Sequence, residues 1–264
     1  MMKMKANYHT HTYRCHHAYG CEWEYVEEAI RCGLKTLGFA DHAPHCYPEE
    51  YKSTRMLTHQ FAEYVGTITK LKKVYGDRIE ILCGLEMEYY PALFEQDLEL
   101  FRSTPGLDYM ILGQHYCFNE YDTDYHVSRK TTVDQEDLIT QYVNQVIEAM
   151  KTERFLYIAH PDVVIYQGDM DHYRKEMRRL CKAAHEWKIP LELNMSGFRR
   201  NAHYPSRDFW KIAGEEQCLA VVGSDAHWPE FTCTQKDYEG ILDFAKEFGV
   251  EVLETLPMKE DFLK

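Results

Sequence analysis

Long apolar runs are missing from this chain. No stretch approaches the roughly 20 residues that a membrane helix needs, and the N-terminus, with Lys3 and Lys5, has no apolar segment of the kind that makes a secretory leader. Neither a membrane nor the secretory route is therefore expected, and the cytoplasm is the default compartment. Paired CxxC cysteines are missing too. The nine cysteines are odd in number and scattered, which excludes a zinc ribbon or a secreted disulfide framework and predicts reduced, mostly buried thiols. Positive charge is scarce: Lys and Arg total 30 against 43 Asp and Glu, for a net charge of −13. Without a basic track, a nucleic-acid backbone is excluded as the main partner, since binding it depends on clustered Lys and Arg. No low-complexity segment or linker interrupts the sequence. What is present is a 264-residue chain with 45% hydrophobic content, enough for a sizeable core and read as a single domain over residues 1–264.

The chain alternates short apolar runs with amphipathic stretches. Met4 to Tyr8 reads as a strand; Trp23, Val26, Ala29 and Ile30 follow at helical spacing, closed by Gly33. Leu34 to Ala40 is a second strand, Ile79 to Leu85 a third, Asp108 to Gly113 a fourth, Phe155 to Ala159 a fifth, Leu191 to Met195 a sixth and Leu219 to Gly223 a seventh, with Val250 to Leu253 as a possible last strand. Helices are predicted between them, the clearest being Phe61 to Tyr75, Asp134 to Met150, and the run through Met177, Leu180, Cys181 and Ala184. Ser196 to Pro205 reads as a loop holding Arg199 and Arg200. Strand-then-helix units imply a parallel sheet, and seven of them at this length fit a closed or nearly closed barrel better than an open sheet.

The polar residues fall in one place along this rhythm. His9 and His11 lie two apart where the first strand ends, so both imidazoles share a face. His42, Glu86, His115, His160, Asp225 and His227 also sit at or just beyond the carboxyl ends of predicted strands, the face where barrel enzymes assemble their sites. Neutral imidazole and carboxylate are ligands for divalent transition metals. Their joint placement predicts a multinuclear metal site.

These residues stand in motifs that resemble the PHP (polymerase and histidinol phosphatase) family, above all its stand-alone histidinol-phosphatase branch. The motifs are Tyr8-His9-Thr10-His11-Thr12, Cys15-His16-His17-Ala18, Gly38-Phe39-Ala40-Asp41-His42-Ala43-Pro44, Gly84-Leu85-Glu86, Asp108-Tyr109 through Gly113 to His115, His160-Pro161, Glu192-Leu193-Asn194 with Ser196-Gly197, and Gly223-Ser224-Asp225-Ala226-His227. The resemblance implies an α/β fold, a distorted (β/α)7 TIM-like barrel, with two to three divalent ions of zinc, iron or manganese. Carried over by position, it assigns His9, His11, Glu86 and Asp225 to one ion, a bridging Glu86 with His115 and His160 to a second, and His17, His42 and His227 to a third. His16 is the rival of His17, and the family pattern favours the second histidine. One segment departs from the branch: a Gly-rich stretch usually follows the fourth-strand histidine, where this chain has Tyr116 to Asp124. That loop is expected to line the substrate pocket.

The chemistry implied is hydrolysis of a small phosphorylated metabolite by metal-bound hydroxide, L-histidinol phosphate being the first candidate. Glu86, Asp225 and His227 are the expected catalytic groups, with Asp225, His227 or a bound water as alternative proton donors to the leaving alkoxide. Arg199, in Gly197-Phe198-Arg199, is expected to hold the phosphate. The competing readings are a phosphodiesterase, a phosphatase for another metabolite, and a metal-dependent amidohydrolase on a related barrel.

Overall fold

The computed structural model describes residues 3–47, 54–120, 125–131 and 133–264. Within them the elements run β1 (Ala6–Asn7), α1 (Glu22–Cys32), β2 (Thr36–His42), α2 (Phe61–Tyr75), β3 (Glu80–Met87), α3 (Phe94–Ser103), β4 (Tyr109–Leu112), α4 (Gln135–Lys151), α5 (Met170–Glu186), β5 (Leu191–Asn194), α6 (Met195–Arg199), α7 (Arg207–Glu215), β6 (Leu219–Gly223), α8 (Gln235–Glu247) and β7 (Glu251–Leu253). Local chemistry sets the boundaries. At the start of α1, Glu24 reaches back to the Cys21 amide; at its end Gly33, with φ at +86°, donates its N–H to the Ala29 and Ile30 carbonyls.

All strand pairs are parallel, in the orders β1-β2-β3-β4 and β5-β6-β7. The two sheets join through residues 155–160. Ile158 bridges Leu112 on one side and Leu191 on the other, and Ile158 N–H donates to the Pro190 carbonyl while Ala159 N–H donates to Leu112. This stretch, expected as a full strand, is extended chain joined to β4 and β5 by isolated bridges at Ile158. The circle closes where the His11 N–H donates to the Ala226 carbonyl at 2.9 Å. The start of β6 pairs with β7 while the chain beyond its end reaches the segment after β1, so the barrel is distorted rather than regular. The ring matches the expected distorted (β/α)7 TIM-like barrel.

Helices pack outside, and their apolar faces form the main core with the outward side chains of the strands. Inside, Tyr8, Tyr109 and Tyr157 fill the barrel beneath the polar end. Tyr109 donates to the Tyr8 carbonyl and Tyr157 to Glu192. Two glycines make that end possible: a side chain at Gly113 would collide with the carboxylate of Glu86, and one at Gly223 with that of Glu192. The segment expected as a loop from Ser196 begins instead within α6, whose Gly197 N–H is capped by the Asn194 side chain at 2.8 Å. Tyr121 to Asp124, part of the loop singled out in the sequence, lie outside the described residues.

Candidate metal centre

The carboxyl ends of the strands gather His9, His11, His42, Glu86, His115, His160, Asp225 and His227, and the turn after Cys15 brings in His17. Glu86 is at the middle. Its carboxylate lies 2.9 Å from His42 Nδ1, 2.8 Å from His160 Nε2, 3.5 and 3.6 Å from the Nε2 atoms of His11 and His9, and 3.9 Å from His115 Nε2. Asp225 stands 3.2 Å from His11 and 3.3 Å from His227. His17 Nε2 is 2.9 Å from His227 Nε2. His16 takes a left-handed backbone, φ 64°, and is exposed, away from this cluster.

Hydrogen bonds on the far side of the rings decide what these imidazoles can do. Nδ1 of His9 faces Glu192 at 2.7 Å, of His11 Asp41 at 3.4 Å, of His115 Glu88 at 3.0 Å, of His17 the Cys15 carbonyl at 2.7 Å, and of His227 the Asp225 carbonyl at 3.1 Å. In the neutral imidazole each acceptor draws the proton to Nδ1 and leaves the Nε2 lone pair facing inward. Inward lone pairs then confront one another, His9 against His11 at 3.1 Å and His17 against His227 at 2.9 Å. Such contacts repel unless a proton or a cation lies between them. The triads His9/His11/Asp225, His9/Glu86/His160 and His11/His42/His227 each hold their ligating atoms within 4.8 Å of one another. This donor set fits divalent cations of the nitrogen- and oxygen-loving kind.

Electrostatics agree. Burial opposes a charge on His9, but Glu192, Glu86 and Asp225 outweigh it and lift its pKa to about 10. Burial likewise works against Glu86, yet His42, His9 and His115 hold its carboxyl well below the usual range; His9 and His11 do the same for Asp225. His42 is pushed down to about 4, chiefly by burial. The cluster is thus built for ionised carboxylates that need positive charge beside them.

Beyond it opens a cavity of about 850 Å³, lined by Ser128, Val163, Ile165, Arg199, Arg200, His203, Tyr204, Trp228 and Phe231 as well as the cluster itself. Arg199 lies 3.8 Å over the Phe231 ring; its buried Nη1 makes no hydrogen bond, the Asp237 carboxylate standing 3.7 Å away. Arg200 is committed to the Ser196 carbonyl and the Tyr204 hydroxyl. His126, His172 and His185 are engaged elsewhere, with Ser128, Thr140 and the Gln217 carbonyl. Sequence analysis gave no individual role to Asp41 or Arg55, and included Glu120 only in the stretch expected to line the substrate pocket. Arg55 is buried, pairs with both Glu88 and Glu120, and donates to the Ala43 carbonyl at 2.9 Å. Nothing in its local sequence marks it, because its partners come from three other segments.

A parallel barrel that collects imidazoles and carboxylates at this end has the architecture of a metal-dependent hydrolase. More narrowly, the chain belongs to the PHP domain family, whose model matches residues 7–196; Asp225 and His227 lie beyond that match. It is 29% identical over 225 residues to the "Probable histidinol-phosphatase" of Deinococcus radiodurans, covering 84% of this chain and 85% of that one. It is 28% identical over 251 residues to the histidinol-phosphatase of Bacillus subtilis, covering 84% and 93%. Among solved structures, histidinol phosphate phosphatase from Lactococcus lactis, complexed with zinc, L-histidinol and phosphate, superposes with a TM-score of 0.71 at 19% identity, over 97% of this chain and 100% of that one.

Proposed function

We propose that the chain is a histidinol-phosphatase, a single domain over residues 1–264 that hydrolyses L-histidinol phosphate to L-histidinol and phosphate. The observation that carries this reading is the set of Nε2 atoms of His9, His11, His17, His115 and His227, each turned inward by an acceptor at its Nδ1 and clustered around Glu86 and Asp225. Two to three divalent ions, zinc, iron or manganese, fit it: one on His9, His11, Glu86 and Asp225, one on Glu86, His115 and His160, one on His17, His42 and His227. Such ions supply activated water and offset charge on the phosphoryl oxygens. The relatives' names support the substrate, and the zinc, L-histidinol and phosphate of the Lactococcus lactis protein support the pairing of metal with this ester.

The chain's own groups divide the remaining work. Glu86, touching imidazoles on every side, keeps their nitrogens spaced around one point. Arg199 lines the cavity, its Nη1 standing 3.7 Å from Asp237, and is the donor assigned to a nonbridging phosphoryl oxygen. Arg200 holds Tyr204 in place. Asp225 and His227, at the cavity edge of the cluster, are the groups placed to pass a proton to the departing alkoxide. A turnover screen tests the reading: L-histidinol phosphate, other phosphomonoesters and bis(p-nitrophenyl) phosphate are offered to the ion-loaded protein. Preference for L-histidinol phosphate supports it, and preference for the diester, or no ester turnover at all, refutes it.

A further inference from the structure

Two large aromatic rings stand exposed at the cavity mouth. Trp228 is 42% and Tyr19 55% accessible, and they stack on each other with centroids 4.1 Å apart and planes 20° from parallel. The backbone beneath both rings is anchored. Tyr19 N–H donates to the His227 carbonyl at 2.9 Å, Tyr25 donates its hydroxyl to the Tyr19 carbonyl at 2.6 Å, and Phe231 N–H donates to the Trp228 carbonyl at 3.0 Å. Tyr19 covers one side of the indole, and Trp228 also lines the cavity. Trp228 directly follows His227, and both line the same cavity. The apolar side chains of Val163 and Ile165 also line the cavity, whose volume far exceeds that of a phosphate. An exposed indole backed by a second ring, beside a polar centre, suits a flat partner.

We propose that Trp228, backed by Tyr19, is the platform on which a flat ring of the leaving alcohol lies, so that the enzyme selects phosphomonoesters of alcohols bearing an aromatic or heteroaromatic ring. An imidazolium ring or neighbouring ammonium gains further from the indole face. This inference rests on the phosphomonoesterase reading and adds a specificity-determining residue to it.

The test compares two esters that differ only in the ring, L-histidinol phosphate and L-alaninol phosphate, with L-phenylalaninol phosphate as a second ring-bearing case. Wild-type protein is expected to favour ring-bearing over ringless ester by about 10-fold in kcat/KM. In Trp228→Ala that ratio should collapse toward 1, mainly through KM, with ion content unchanged, and Trp228→Phe should restore most of it. Binding of the product L-histidinol should quench tryptophan fluorescence in the wild type and much less in Trp228→Ala, while L-alaninol quenches neither; this arm needs no turnover. A wild-type ratio near 1, a ratio unchanged by Trp228→Ala, or quenching that ignores the ring overturns the platform. The two readings fail separately. Turnover of L-histidinol phosphate with no ring preference sinks the platform alone, whereas preference for L-phenylalaninol over L-alaninol phosphate without turnover of L-histidinol phosphate sinks the assigned substrate alone.

Discussion

Replacing Glu88 by Gln keeps the shape of a buried side chain and removes its charge, and the consequence can be traced atom by atom. Glu88 follows β3. Its Oε1 accepts from His115 Nδ1 at 3.0 Å; its Oε2 accepts from Tyr90 at 3.0 Å and from Arg55. Burial opposes the charge, but Arg55, His115 and His45 hold the carboxyl well below its ordinary range. A glutamine has one acceptor and one donor end. The acceptor will turn to Arg55 and Tyr90, because a buried guanidinium without a partner is the costlier loss. The amide NH2 then meets His115 Nδ1, which can satisfy it only by becoming an acceptor. That moves the ring proton to Nε2, the nitrogen facing Glu86 at 3.9 Å, and removes the lone pair from the inward side. Loss of such an orienting partner costs about 10- to 100-fold in ion affinity, or about 1.4–2.7 kcal/mol. Stability should fall by less than the roughly 3–5 kcal/mol of a broken buried pair, since Glu120 still faces Arg55. Chelator competition reads the first quantity and urea unfolding the second. Arg55→Met, which leaves Glu88 a carboxylate, should lose stability but less ion affinity than Glu88→Gln. Wild-type ion affinity in Glu88→Gln, with His115 still a ligand by spectroscopy of the cobalt-loaded protein, would refute the tautomer argument.

Other outcomes follow from the same geometry. Glu86→Gln should lower kcat by orders of magnitude while the barrel stays folded by circular dichroism, because a charge shared among several imidazoles is lost; near wild-type turnover with full ion occupancy would contradict it. His17→Ala should shed one ion or most activity and His16→Ala little, checked by elemental analysis of both; the reverse result would move the ligand by one residue. Arg199→Ala should reduce kcat/KM by roughly 10- to 1000-fold with ion content intact, and Arg200→Ala should act more weakly, through the support of Tyr204. In the ion-free protein, burial is outweighed by Glu192, Glu86 and Asp225, and His9 keeps its proton up to about pH 10. Loading an ion at neutral pH must expel that proton, so apparent ion affinity should rise with pH below 10; calorimetry in buffers of different ionisation enthalpy will register the release, and a pH-independent affinity would count against it.

The sequence by itself determined which residues could meet at one end of a barrel. Strand-helix alternation is written in local hydrophobicity, and a histidine or carboxylate at the end of an apolar run is delivered to the same face by any parallel closure, so His9, His42, Glu86, His115, His160 and Asp225 were legible without coordinates. Local pattern was a poorer guide where neighbours rule. Residues 155–160 look like a strand but join their neighbours through isolated bridges, and the chain after Asn194 turns helical at once because that side chain caps Gly197. Only the tertiary structure decided which nitrogen of His9, His11 and His115 faces inward, since the acceptors behind these rings, Glu192, Asp41 and Glu88, come from other segments of the chain. The same holds for Arg55 between Glu88 and Glu120 and for the stacking of Tyr19 on Trp228. Hydrogen bonds and ring contacts between segments far apart in the chain depend on how the barrel closes, and closure is a property of all the strands together.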